Sequence, residues 1–185
     1  MSVVLSIQQW LGLSVSNDML MSRYAETGEQ ALLARLYDEC GDDLYHFLLA
    51  MTSPDTAMDV AQKTWVTVIE KRHLYAASGR FESWLFTLGR HALVDEIRKQ
   101  RRLTYDDALL SRQHAPESAI YQQSDSFRQA LAALPFAQRE AFCLQQEGFG
   151  LQEIATICHS NRETIKTRLR YARENLKSAL EAAHD

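Results

Sequence analysis

Leu151, Ile154, Ala155 and Cys158 recur at helical spacing, and Ile165, Leu169, Ala172 and Leu176 take up the same period after an interruption. Between the two stripes stand three polar residues, His159-Ser160-Asn161. Two apolar stripes so close in sequence bury themselves most readily as a short helix, a tight turn and a longer helix. The second helix then carries Lys166, Arg168, Arg170 and Arg173 away from its apolar side. This is the layout of a helix-turn-helix, in which the second helix lies in the DNA major groove.

Overall charge hides this reading. The chain has 20 Lys and Arg against 24 Asp and Glu, a formal charge of −4. The basic footprint is local: six Lys or Arg face two Glu from Arg162 to Lys177. A second cluster is Arg98-Lys99 with Arg101-Arg102. From Glu26 to Asp59 the chain is strongly acidic, with Arg35 as its only cation. Such an acidic stretch reads first as a solvated face.

Helical periods run through most of the rest, and no alternating Val, Ile and Thr pattern points to a sheet. The fold class expected is all-α: two small helical bundles joined by a flexible linker, the C-terminal one holding the helix-turn-helix. The chain divides into an N-terminal extension (1–17), a first unit (18–102), a linker (103–125) and a second unit (126–182). In the first unit, Leu32, Leu33, Leu36 and Tyr37 fit one apolar face, and Leu44, Phe47, Leu48 and Met51 the next. Ser53-Pro54 caps and opens a helix with Ala57, Val60, Ala61, Trp65, Val68 and Ile69 inward. A loop over 73–80 precedes a helix from Phe81 to about Arg102 that buries Leu85, Leu88, Ala92, Leu93 and Ile97. The linker, with Asp106-Asp107, Pro116 and Gln122-Gln123, has no sustained apolar period. In the second unit, Pro135 opens a helix closed by Gly148 and Gly150. In the extension, Val4, Ile7, Trp10 and Leu11 share one helical face, too short to be stable alone in water.

Several functions are disfavoured. Cys40, Cys143 and Cys158 are far apart and form no CxxC, so neither a disulfide framework nor a zinc site is indicated. The latter two lie on apolar faces as core thiols. Nothing pairs a nucleophile with a base, clusters carboxylates or cradles a phosphate, so no catalytic residue, metal or cofactor is expected. Met1 to Leu13 lacks a positive start and is too short to span a bilayer. The expected setting is cytoplasmic, without membrane insertion.

Taken in order, these segments resemble a bacterial RNA polymerase sigma factor of the extracytoplasmic-function (ECF) group, over about Asp18 to Leu180. Ala57 to Trp65 (AMDVAQKTW) is similar to the family's polymerase-binding helix. Phe81-Glu82-Ser83-Trp84-Leu85, followed by Arg90, Asp95 and Arg98, is similar to its promoter-melting segment. Leu134-Pro135, Gln138 to Phe142, Gly148, Glu153-Ile154-Ala155 and Thr164 to Leu169 resemble its second DNA-reading domain. Here His159 stands where the family has Gly, Ser160 replaces an apolar turn residue, Lys63 an acid, and His91 an Asn.

The resemblance implies core RNA polymerase, double-stranded and melted promoter DNA, and an anti-sigma factor as partners. Asp55, Asp59, Gln62, Trp65 and Val66 are the implied polymerase contacts. Arg80, Phe81, Ser83, Trp84, Arg90, His91, Asp95, Arg98 and Lys99 are the implied melting residues. Melting needs side chains that hold unstacked bases and phosphates, and core packing is the competing reading for Phe81 and Trp84. In the recognition helix the set is Arg162, Glu163, Thr164, Lys166, Thr167, Arg168, Arg170, Tyr171 and Arg173. The leading members reach base edges, while Arg170, Tyr171 and Arg173 touch phosphate. Pairing of Arg170 and Arg173 with Glu174 is the alternative. Two rival functions are a stand-alone helix-turn-helix regulator, which has no use for the Asp55 to Ile69 helix, and a small Cys- or His-dependent enzyme.

Overall fold

The computed structural model describes residues 16–76, 79–107 and 125–182. Its helices are α1 (Asn17–Thr27), α2 (Gln30–Met51), α3 (Pro54–Lys71), α4 (Phe81–Asp107), α5 (Asp125–Ala133), α6 (Phe136–Gln146), α7 (Leu151–Ile157) and α8 (Arg162–Ala182). A 3-10 turn, Arg72–Leu74, follows α3. No strand occurs among the described residues. The extension up to residue 15 and the linker over 108–124 lie outside them.

Helix ends follow local chemistry. Ser16 Oγ accepts from Met19 N at 3.3 Å to start α1, and Gly28 ends it with φ +69°. Pro54 sits in the first turn of α3 with Asp55 beside it, and Lys71 is in the last turn, matching the helix dipole at both ends. Ser53 does not cap through its side chain; its hydroxyl donates to Thr56 Oγ1 at 3.0 Å. The start of α4 is capped from a distance, because Asp18 on α1 accepts from the Phe81 amide and from the Tyr75 hydroxyl.

The N-terminal bundle packs α1 to α4 around Leu20, Leu36, Leu44, Phe47, Leu48, Val60, Val68, Phe81, Leu85 and Leu93, all buried. Gly89 lets α4 approach α2 closely: a Cβ there would lie 2.8 Å from Leu44 Cδ1. Two inward assignments are corrected. Tyr37 is 56% exposed and Ile69 42% exposed. Each lies at the margin of its stripe, where the 3.6-residue period carries it past the core. All three cysteines are free and buried, Cys40 included, and burial pushes each thiol up to about 12.

In the C-terminal bundle, Ala130 and Leu134 of α5 meet Ala172 and Leu176 of α8. Leu144, Ile154, Ile157, Ile165 and Leu169 form the larger part of its core. Phe86 of α4 and Phe149, between α6 and α7, meet edge to face at 4.8 Å and join this core to that of the first bundle. The two units therefore pack against each other rather than standing apart.

Candidate nucleic-acid interface

The turn before the recognition helix is built by hydrogen bonds that need a left-handed residue. Ser160 N donates to Ala155 O at 2.9 Å and His159 N to Thr156 O at 3.2 Å, closing α7 as a Schellman motif. Its left-handed position is His159, φ +48°, so a β-carbon stands where glycine would be unstrained. Gly148 plays the same part after α6 at φ +83°. Asn161 then caps α8, its Oδ1 accepting from Thr164 N at 2.7 Å.

With Ile165, Leu169, Ala172 and Leu176 buried, α8 turns its opposite side to solvent. Arg162, Glu163, Lys166, Thr167, Arg170, Tyr171 and Arg173 are exposed, and Thr164 and Arg168 are half-buried. Lys166 pairs with Glu163 at 2.7 Å, which holds that carboxyl below the usual range. Arg170 pairs with Glu174 at 3.8 Å and lies over the Tyr171 ring. Arg173 instead bonds Gln145 on α6 at 2.7 Å. Exposed i,i+3 and i,i+4 pairs hold their members weakly, at a few tenths of a kcal/mol, so these side chains are available to DNA.

On α3, Asp55, Asp59, Gln62 and Val66 are exposed. With Met58 and Ile69 they make an outward stripe, apolar at its centre and acidic at the N-terminal end. Trp65, read inward by its stripe and also among the implied polymerase contacts, is only 7% exposed, its ring packed 5.2 Å from Tyr37 and 6.4 Å from Phe81. It supports the face from beneath. Lys63 turns toward α4 and pairs with Glu96 at 2.9 Å, which lowers the Glu96 carboxyl and raises the ammonium.

The expected melting residues divide into three groups. Phe81 is fully buried among Trp65, Tyr75 and Trp84, so it packs the core and does not present a ring to a base. Trp84 is half-buried against Tyr75 at 5.3 Å. Asp95, Arg98 and Lys99 are exposed near the basic end of α4, Arg98 pairing with Asp95 at 3.4 Å. The remaining four, Arg80, Ser83, Arg90 and His91, are engaged by the C-terminal bundle.

That engagement is extensive. Arg90 Nε donates to Glu140 Oε1 at 2.7 Å and Nη2 to Oε2 at 3.5 Å, with Glu140 only 1% exposed. Ser83 Oγ and Arg80 Nη1 reach Glu153 Oε1 at 3.1 and 3.5 Å. Glu153 Oε2 meanwhile accepts from the Gly150 amide at 2.8 Å at the start of α7. The Arg80 guanidinium lies over the Phe149 ring. His91 and His159 stack almost parallel, Nε2 to Nε2 at 2.6 Å. Burial first, then His159, holds His91 below the usual imidazole range. Glu140, Glu153 and Phe149 carry this contact unannounced. Glu140 alone leaves a sequence signal, a carboxylate on the buried stripe Glu140, Ala141, Leu144, where a cation partner is required.

Residues 36–103 match the family described as Sigma-70 region 2, and residues 124–176 match Sigma-70, region 4. The fold and these two matches thus define a two-domain sigma-70-type protein. The ECF sigma factor EcfG of Rhodopseudomonas palustris is 32% identical over 68% of this chain and 72% of its own. The ECF sigma factor RpoE of Cereibacter sphaeroides is 28% identical over 85% of this chain and 91% of its own. Among solved structures, the sigma factor RpoE in complex with the anti-sigma factor NepR, from Bartonella quintana, aligns with a TM-score of 0.71. It is 28% identical, covering 80% of this chain and 96% of that one. CnrH in complex with the cytosolic domain of CnrY shares the fold at TM-score 0.68 and 22% identity, over 90% of this chain and 99% of that one. The chain belongs to the ECF group of RNA polymerase sigma factors.

Proposed function

We propose a division of labour among these surfaces within the sigma-factor role of directing core polymerase to promoters. The first unit (18–102) binds core polymerase and opens the upstream hexamer, and the second (126–182) reads duplex DNA. The segment that joins them is shorter than 103–125, since α4 runs to Asp107 and α5 starts at Asp125. The outward stripe of α3, with Met58, Val66 and Ile69 exposed beside Asp55, Asp59 and Gln62, carries the polymerase reading. An exposed apolar row with an acidic end suits a protein partner and offers nothing to DNA. The stand-alone regulator has no use for such a face.

Arg162, Glu163, Lys166 and Thr167 read base edges, while Arg170, Tyr171 and Arg173 position the helix on phosphate. Arg98 and Lys99 draw in the upstream strand backbone. The chain acts by binding, not by catalysis, and an anti-sigma protein controls it, as the anti-sigma factor NepR is bound to the similar sigma factor RpoE. It works in the cytoplasm; no helix among the described residues is long and apolar enough to cross a membrane. The test is Val66→Asp, alone and with Met58→Asp. Loss of co-migration with core polymerase at unchanged melting temperature supports the reading. Unchanged polymerase binding by the double variant overturns it.

A further inference from the structure

We propose that the N-terminal extension masks the chain's own polymerase-facing surface: residues 3–13 lie along the exposed apolar row of α3, and core polymerase must displace them to bind. This rests on the polymerase reading of that row. The observations behind it are separate, namely what the extension is made of and where it joins the fold.

Residues 1–15 hold nine apolar side chains and no Asp, Glu, Lys or Arg. A segment of that composition lacks the charge and polarity that keep a tail in solution. Val4, Ile7 and Leu11 recur at helical spacing with Trp10 beside them, an apolar face that needs a second surface to cover it.

The point of attachment selects that surface. Ser16 Oγ accepts from Met19 N, and Asn17 Nδ2 donates to Glu82 Oε1 at 2.8 Å, so the chain is fixed where the extension ends. Beside them, Asp18 accepts from the hydroxyl of Tyr75 at 3.2 Å, and Tyr75 stands four residues after the last residue of α3. The extension therefore enters near the C-terminal end of α3. Met19 and Leu74 are exposed at this entry, and Ile69, Val66 and Met58 are exposed along α3. Positions 69, 66, 62 and 58 follow one another at three or four residues, so they share a helix face, with Gln62 the polar member. Among the large apolar side chains exposed in the described residues, only Tyr37 and Tyr171 stand outside this set. A bare apolar face of this kind marks an interaction site.

The dimensions match. Eleven residues of helix from Met58 to Ile69 rise about 16 Å, and residues 3–13 as a helix rise about 15 Å. The fifteen residues drawn out fully span about 50 Å, against about 27 Å for all of α3, so the whole row is within reach. Asp55 and Asp59 lie at the far end of the row, and an uncharged segment brings no like charge to them. Extension and polymerase then compete for one surface. A mask seated nine-tenths of the time leaves a tenth of the chains open and weakens the apparent affinity about tenfold.

The test uses the full chain with a nitroxide at Glu70→Cys, exposed beside the row, or at Ser178→Cys on α8 as the control. The native cysteines are buried. The readout is paramagnetic broadening of the Trp10 indole N–H signal, assigned with Trp10→Phe. Affinity for core polymerase is measured by competition against one dye-labelled reference chain. The competitors are wild type, a chain lacking residues 2–15, and a chain carrying Ile7→Gln, Trp10→Gln and Leu11→Gln together. The truncation keeps Ser16, so α1 keeps its cap, and the triple variant keeps the segment's length.

The label at 70 should broaden Trp10 at every protein concentration, and the label at 178 should not. Both variants should bind core polymerase about tenfold more tightly than wild type, with duplex DNA binding changed less than twofold. A Trp10 signal untouched by the label at 70 overturns the proposal. Broadening that grows with concentration also overturns it, because the occupant is then a second copy. Weaker polymerase binding by the variants does the same, because the extension is then part of the polymerase contact. If no form binds core polymerase, the reading of the row has failed and the mask falls with it; if all forms bind equally, the reading stands and only the mask has failed.

Discussion

Asn161→Ala tests how the recognition helix is held. The wild-type Oδ1 lies 2.7 Å from Thr164 N and satisfies one of the amides that the first turn of α8 leaves without a carbonyl. Losing an Asn cap costs about 1 kcal/mol, or roughly a fivefold change in the folded ratio. If the two packed domains melt together, the transition falls by about 2–4 °C; if the C-terminal unit melts alone, by about 4–8 °C. Asn161→Asp separates stability from recognition. Aspartate accepts the same hydrogen bond and its charge suits a helix N-terminus, so thermal stability is kept. The same charge stands beside Arg162 and Lys166 and repels phosphate, so duplex binding weakens more than in the alanine variant. Differential scanning fluorimetry and fluorescence anisotropy on one duplex measure both. The reasoning is refuted if alanine leaves the transition unmoved, or if aspartate lowers it as far as alanine does.

Other outcomes follow from the same geometry. Gly148→Ala places a β-carbon in open space but at φ +83°, so it costs about 1–2 kcal/mol of strain alone, seen as a lower denaturant midpoint with unchanged slope. Arg170→Ala weakens DNA binding evenly across sequences and lowers the salt slope by about 0.9, whereas Arg162→Ala or Lys166→Ala relaxes preference at one or two base pairs, read from a binding-site selection. Glu147 is raised from 4.5 to about 7, by burial first and then by Asp43. Its protonated form favours the folded chain, so that contribution is full below pH 4.5 and lost as pH rises through about 7. Glu147→Gln therefore gains stability over wild type at pH 8 and not at pH 4, as denaturant titrations at the two values show.

What the sequence made legible was local. The stripes of α7 and α8, the Pro54 and Pro135 starts and the Gly148 stop depend on residues within a few positions, and all appear where periodicity and capping place them. The polar triplet before α8 read correctly as a turn because Asn161 and the left-handed His159 act within it. Single-residue burial was less legible: Trp65 lies inward as its stripe placed it, but Tyr37 and Ile69, read inward too, face outward at the margins of their stripes. Where α4 ends was read short, its helix continuing to Asp107. The domain contact was not visible. Its partners are 50 to 73 residues apart in sequence, too far for any helical period to relate them. Only Glu140, a charge on a core stripe, marks the place.

Transcription in vitro measures the central claim most directly. Core RNA polymerase is incubated with a library of promoter fragments, with and without the purified full chain, and transcript starts are mapped. The account predicts starts that appear only with the chain, share an upstream and a downstream element, and lose the downstream preference in Arg162→Ala. Start sites identical to those of core polymerase alone would contradict it.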